Sequence, residues 1–488
     1  MRKVLTSRWA SHTRDVAGVV ASQARAGSAG STPDQEEVQG PAQLHCISPL
    51  QYQQTPENMD TLQGSPSQVN LTDADLKLTF EASFNEDVQK FRIAVHENFL
   101  VTSKLKASLT RFVDDIDQPD FTDGPPRRVV EEVADYWSKE YDWRKVEAQI
   151  NEVFEQYTTI VRTSNPDFPH PVPLHFVHHR SSRKDAIPLL FIHGWPGSFL
   201  EVENLLEPLT NPATEDLPAF HVVAPSIPGY GFSPSPGKPG MGYRAAAHAF
   251  HALMQKLGYS RYVYQGGDAG DFIGHFTALD FPDAVVSGHS NFWISPPSPS
   301  DLARYNAGEV TEDEKHIIEQ LAQFSNEHWA YAVVHQTRPL KLAIGLTDSP
   351  VGLAMWIYEV FSSVGPSVFT TERLITWTMM HWINGPYAAF SLYKYGRQDG
   401  VITVQGINAM PYVSQPIAVS QFPKDIGYGT PLEWAKRTGN VVYFARHDRG
   451  GHFAATDAPD LLIEDVRKFF GDKQLSGTHV FDENHLGS

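Results

Sequence analysis

In Gly266-Gly267-Asp268-Ala269-Gly270 a carboxylate stands among small residues, after the apolar run Tyr262-Val263-Tyr264 and before a helical stripe of Phe272, Ile273, Phe276 and Leu279. A sharp strand-to-helix corner strains the backbone and brings neighbouring chain close, so it takes glycines on either side. A serine at such a corner attacks acyl carbon. An aspartate can instead displace at a saturated carbon and carry the product as an alkyl ester, which points to epoxides or alkyl halides. The start of the following helix favours the ionised carboxylate. The same five residues also fit an ordinary turn with an aspartate N-cap, so the reading depends on what accompanies them.

Two other segments supply the groups this chemistry needs. His193-Gly194-Trp195-Pro196-Gly197-Ser198 follows the apolar run Leu189-Leu190-Phe191-Ile192. A turn there can aim the Trp195 N–H, together with the Ala269 N–H, at charge developing on the Asp268 carboxyl, and Pro196 is a candidate cis residue. Near the end of the chain, His452 lies in Arg449-Gly450-Gly451-His452-Phe453-Ala454-Ala455. An imidazole titrates near neutrality and can take a proton from water. Any of the 21 histidines can be structural, so position decides: nucleophile first and histidine last is the chain order of the α/β-hydrolase fold. Asp425, 27 residues before His452 and just after the run Ile417-Ala418-Val419, is the candidate orienting acid. Asp448 and Glu433 are its rivals, the first very near His452 in sequence and the second in an expected helix.

Positioning these groups requires alternating strands and helices. Strands are expected at 189–192, 221–224, 262–264, 417–419 and 441–444, with helices between them and a last helix after Pro459. Ser198 with Glu201 three residues on reads as a capping box. The succession implies a mostly parallel central sheet with right-handed crossovers. The stripes Val88, Phe91, Val95, Phe99 and Trp143, Val146, Ile150, Phe154, Tyr157 both read as helical. The expected organisation is a flexible arm over 1–70, an N-terminal helical appendage over 71–175, an α/β core over 176–295 and 406–488, and an inserted helical cap over 296–405 rich in Trp and Tyr.

The 488 residues carry 57 Asp and Glu against 39 Lys and Arg, which argues against a nucleic-acid partner. One cysteine, Cys46, forms no intrachain disulfide. No stretch reaches the roughly 18 apolar residues of a membrane span. A cytoplasmic location is expected, with the Arg-rich residues 1–30 offering a mitochondrial alternative. His175, His178 and His179, or His248 and His251, lack the Cys or carboxylate that would complete a metal site, and no dinucleotide-type glycine loop occurs. Neither metal nor cofactor is expected; a homodimer is left open.

Taken in order, HGWPGS at 193–198, GYGFS at 229–233, GGDAG at 266–270, SPVGL at 349–353, FPKD at 422–425 and RGGHFAA at 449–455 resemble the microsomal-type epoxide hydrolases over roughly residues 75–470. The resemblance implies conversion of a hydrophobic epoxide and water to a vicinal diol through an ester on Asp268, without a cofactor. It also implies two cap tyrosines holding the epoxide oxygen. Tyr331, ahead of Thr337-Arg338-Pro339 and SPVGL, matches the first, and Tyr393 the second, with Tyr387 and Tyr395 near enough to compete. The family's nucleophile motif has Trp where this chain has Ala269; the backbone N–H remains, so the implied chemistry survives with an altered pocket or rate. The membrane anchor of microsomal members is not visible here. Two other readings are haloalkane dehalogenation, which usually asks for Trp or Asn N–H donors rather than phenols, and a non-catalytic ligand-binding protein on the same scaffold, which should have lost the groups present here.

Overall fold

The computed structural model describes residues 79–482 apart from 115 and 365–368. The arm expected over 1–70, its Arg-rich start and the first residues of the expected appendage lie outside the described residues. Nine strands occur among those described: β1 Gln89–Phe91, β2 Gln156–Val161, β3 Val172–His179, β4 Ile187–Ile192, β5 Phe220–Pro225, β6 Tyr262–Gly266, β7 Val285–Ser290, β8 Val413–Gln421 and β9 Gly439–Arg446. They form one sheet in the order β1-β2-β3-β5-β4-β6-β7-β8-β9. The pairs β1/β2, β2/β3 and β3/β5 are antiparallel and all the others parallel. The central strands β4 and β6 are buried along their whole length, as strands covered by helices on both faces must be.

Parallel pairing brings the carboxyl ends of the central strands to one edge. Ile192 pairs with Gly266, Gly266 with Ser290, Ser290 with Val419, and Gln421 with Arg446. The loops that leave those ends carry Trp195, Asp268, Asn291, Asp425 and His452. Residues as far apart in sequence as Trp195 and His452 are thereby gathered at the rim where open α/β sheets bind ligands.

The N-terminal region departs from the helical expectation. Two of the nine strands, and the first half of a third, come from the segment expected to be mostly helical. Residues 88–96 do not extend a helix: Gln89–Phe91 pairs with β2, and the Ile93 and Val95 N–H groups donate to the side chains of Asn151 and Glu147. These side chains satisfy the backbone in an extended state, and the helix starts only at Glu97, capped by His96. The second stripe is a helix at Trp143–Val153, where the Asp142 carboxylate accepts from Arg144 and Lys145 N–H and Trp143, Val146 and Ile150 are buried. It stops before Tyr157, which belongs to β2.

Between β7 and β8 the chain forms helices from Pro299–Ala307 to Val404–Asn408. This cap is tied to the core loops rather than resting on them. His381 Nε2 donates to the Pro196 carbonyl at 2.6 Å, the Gly231 N–H donates to Met380 O at 3.0 Å, and Asn384 Nδ2 donates to the Gly231 and Ser233 carbonyls. The GYGFS segment is therefore the cap's seat. Gly229, at φ 92°, has no room for a side chain beside Ala388.

Candidate active site

Asp268 occupies the corner between β6 and the helix Ala269–Asp280 with φ 51° and ψ −125°. A non-glycine residue held there stores of order 1–3 kcal/mol of strain, and such positions cluster at reactive sites. The glycines around it are sterically required. An ideal Cβ on Gly266 would lie 2.7 Å from the Gly270 carbonyl carbon, and one on Gly270 would lie 2.7 Å from the Ile192 carbonyl carbon. One on Gly267 would lie 2.6 Å from Asn291 Nδ2.

The Trp195 N–H donates to Asp268 Oδ1 at 2.8 Å, across a cis Trp195-Pro196 bond. Ala269 is the first residue of the helix, and its N–H makes no hydrogen bond to Asp268 among the described residues. On the other oxygen, His452 Nε2 lies 3.5 Å from Asp268 Oδ2. Its Nδ1 donates to Asp425 Oδ1 at 2.8 Å. The Asp268 side chain is 18% exposed against 6% for His452 and 3% for Asp425, so only the nucleophile candidate is open to a ligand. Burial alone would lower the His452 pKa; the carboxylates of Asp425 and Asp268 overcome it and hold the imidazolium well above the usual histidine range. Of the rival acids, Glu433 sits beside Lys436 on the surface and Asp448 is exposed.

Facing this trio, Trp195 stacks on Tyr331 with centroids 5.0 Å apart and meets Tyr393 edge-on at 6.0 Å. The two phenol rings are 6.1 Å apart. Burial first, and the nearby Asp268 charge, raise both phenol pKa values, so each carries its proton. The Tyr393 hydroxyl is buried, with that of Tyr331 as its neighbour. Tyr387 is exposed and Tyr395 is partly buried beside Lys394, so neither competes for this place.

Sequence reasoning missed Asn291, whose Nδ2 donates to the His452 carbonyl while its Oδ1 accepts from Gln265. Its only sequence signal is its place after a strand. It also misread Glu201. The Phe199–Val202 turn is a 3₁₀ helix capped by the Ser198 side chain through Leu200 N–H, and the Glu201 carboxyl does not close a capping box. The histidines considered for metal have other partners: His175 contacts Ser226 and Gln156, His178 contacts Tyr259, His248 contacts Asp280 and His251 contacts Tyr262. Among the described residues no group of three or more His, Cys, Asp or Glu side chains is placed to hold a metal ion, and no helix is long and apolar enough to cross a membrane.

A mostly parallel sheet, a carboxylate at the strained corner after its central strand and a late histidine define an α/β hydrolase with an aspartate at the elbow. Residues 187–314 match the family pattern of the alpha/beta hydrolase fold, and residues 88–202 match that described as the epoxide hydrolase N terminus. A protein assigned as an epoxide hydrolase in Stigmatella aurantiaca is 32% identical over 395 residues, covering 78% of this chain and 84% of that protein. The epoxide hydrolase of Aspergillus niger superposes with a TM-score of 0.67 at 29% identity, covering 81% of this chain and 98% of that one. Juvenile hormone epoxide hydrolase from Bombyx mori gives 0.70 at 26% identity, covering 82% and 97%. The chain belongs to the epoxide hydrolase family.

Proposed function

We propose that Asp268 opens the oxirane ring by attack of Oδ2 on carbon, forming an ester, while Tyr331 and Tyr393 bind the epoxide oxygen and supply its proton. Oδ1 is already engaged by the Trp195 N–H, which leaves Oδ2 as the attacking atom. The carbon–oxygen bond of the ring breaks, and its electron pair becomes an alkoxide that a phenol protonates. Esterification also consumes the Asp268 charge that helps hold the His452 proton. The imidazolium pKa falls, its proton restores the phenol, and His452 becomes a neutral base.

In the second half, water attacks the Asp268 Cγ and passes a proton to His452 Nε2. Oδ1 becomes the oxyanion in the cradle of the Trp195 and Ala269 N–H groups. Collapse breaks the bond between Cγ and Oδ2, which leaves as the glycol oxygen and takes the second water hydrogen from the new carboxyl. The diol leaves, and the enzyme returns to carboxylate and imidazolium with protons balanced. Asp425 fixes the imidazole's orientation and stabilises its charged form.

The observation that carries this reading is one carboxylate bonded to a backbone N–H on one oxygen and facing a histidine on the other, beneath two protonated phenols. The rings of Phe292 and Phe453 lie 5.0 and 4.9 Å from the His452 ring, edge-on, which supports a hydrophobic epoxide. With styrene oxide, Asp268→Ala should abolish diol formation and His452→Gln should accumulate protein heavier by one substrate mass. Turnover surviving both changes refutes the assignment.

A further inference from the structure

A second buried carboxyl borders this site. Glu201 is buried, and its Oε1 has no hydrogen-bond partner among the described residues. The Phe199–Val202 turn packs against the short helix Ala454–Asp457, which follows His452. The carboxyl fills the space beside Gly197 that any side chain there would occupy. An ideal Cβ on Gly197 would lie 2.7 Å from Glu201 Cδ and closer still to Oε1. Gly197 is two residues past Trp195, and Gly194, whose own Cβ would strike Asp268, offers its backbone to the Glu201 carboxyl.

The charged groups around Glu201 are those of the reaction. Burial raises its pKa to about 8; His452 lowers it, whereas Asp268 and Asp457 raise it. Asp457, itself raised to about 7 by burial, comes from the helix after His452. An unsatisfied buried acceptor destabilises the fold, a cost that persists where something other than folding retains it. A capping glutamate would have bonded the Ser198 N–H; this one lies against Gly197, beside the oxyanion turn, instead.

We propose that Glu201 positions the hydrolytic water, its carboxyl accepting the water hydrogen that His452 does not take. The inference rests on the covalent route above and deepens its second half. The water oxygen bonds to Asp268 Cγ, one proton goes to His452 Nε2, and the other hydrogen stays on oxygen, donated to Glu201, until collapse passes it to the leaving glycol oxygen. A near-neutral carboxyl still offers its carbonyl oxygen, so water is held without a full buried charge. Glu201 has no part in ring opening.

Single-turnover quench with mass detection separates the two halves. Glu201→Met, similar in length but lacking the acceptor, should form ester at the wild-type rate and hydrolyse it about 10- to 100-fold more slowly. Glu201→Gln, which keeps an acceptor, should restore most of the hydrolysis rate. Gly197→Ala, with its methyl in the carboxyl's place, should give the same selective loss with Glu201 present, and it serves if E201M does not fold. Wild-type hydrolysis in E201M, ester formation slowed as much as hydrolysis, or equal loss in E201M and E201Q overturns the proposal. No ester in wild type or His452→Gln would instead remove the covalent route, and this inference with it.

Discussion

Replacing Gly194 by alanine should cripple the enzyme from a position that has no reactive atom. The new Cβ would lie 2.7 Å from Asp268 Cγ and nearer still to Cβ and Oδ1. That is about 1 Å inside the ~3.5–4.0 Å at which carbon atoms rest. Neither side yields cheaply. Asp268 is short and fixed by a backbone at φ 51°, and Trp195 is held by stacking on Tyr331 and through the Pro196 carbonyl bonded to His381. The 2.8 Å bond from the Trp195 N–H to Oδ1 must lengthen or bend. A misplacement of about 1 Å costs on the order of 10²-fold in rate, and loss of one oxyanion donor about 10²–10³-fold. The expected result is a fall in kcat of roughly 10²-fold, with hydrolysis hit harder than alkylation because the oxyanion on Oδ1 exists only in the second half. Diol formation under saturating styrene oxide gives kcat, and quenched mass spectra give the ester fraction. A folded Gly194→Ala enzyme within about threefold of wild-type kcat would show that the Trp195 N–H contributes little to transition-state stabilisation, against the role argued for it.

Asp425→Asn should leave alkylation largely intact and slow ester hydrolysis by about 10²–10⁴-fold, because the imidazole loses the partner that orients it and stabilises its cation. The same variant tests stability. Asp425 raises the folded pKa of His452 above the unfolded value, so its contribution is complete below about pH 6.5 and is lost as pH rises through the folded pKa. The melting-temperature gap between wild type and D425N should therefore be largest in acid and narrow on the alkaline side; a gap that widens with pH contradicts the assignment. Tyr331→Phe and Tyr393→Phe should each slow ring opening by about 10²-fold and leave hydrolysis of a preformed ester unchanged, measured by single-turnover quench. Equal effects on both halves would place the phenols outside the first step.

What could be read from residue order and what could not divide along a physical line. The elbow, the oxyanion turn and the histidine loop are legible because each is a local backbone demand: small residues where the chain turns sharply, apolar runs before it, a helix stripe after it. Parallel strands then do the assembling, since pairing Ile192 with Gly266 and Gln421 with Arg446 leaves the loops no other edge at which to emerge. The strands β1 and β2 were hidden because Phe91 and Tyr157 also fit a helical spacing. The decision belongs to Asn151 and Glu147, distant side chains that bond the backbone of residues 93 and 95. Glu201 shows the same limit within four residues. Its spacing from Ser198 is that of a capping box, yet Gly197 opens a space beside the oxyanion turn that a local pattern does not register, and the carboxyl goes there. A glycine in such a turn is thus informative twice: for the backbone it permits, and for the neighbouring side chain it admits.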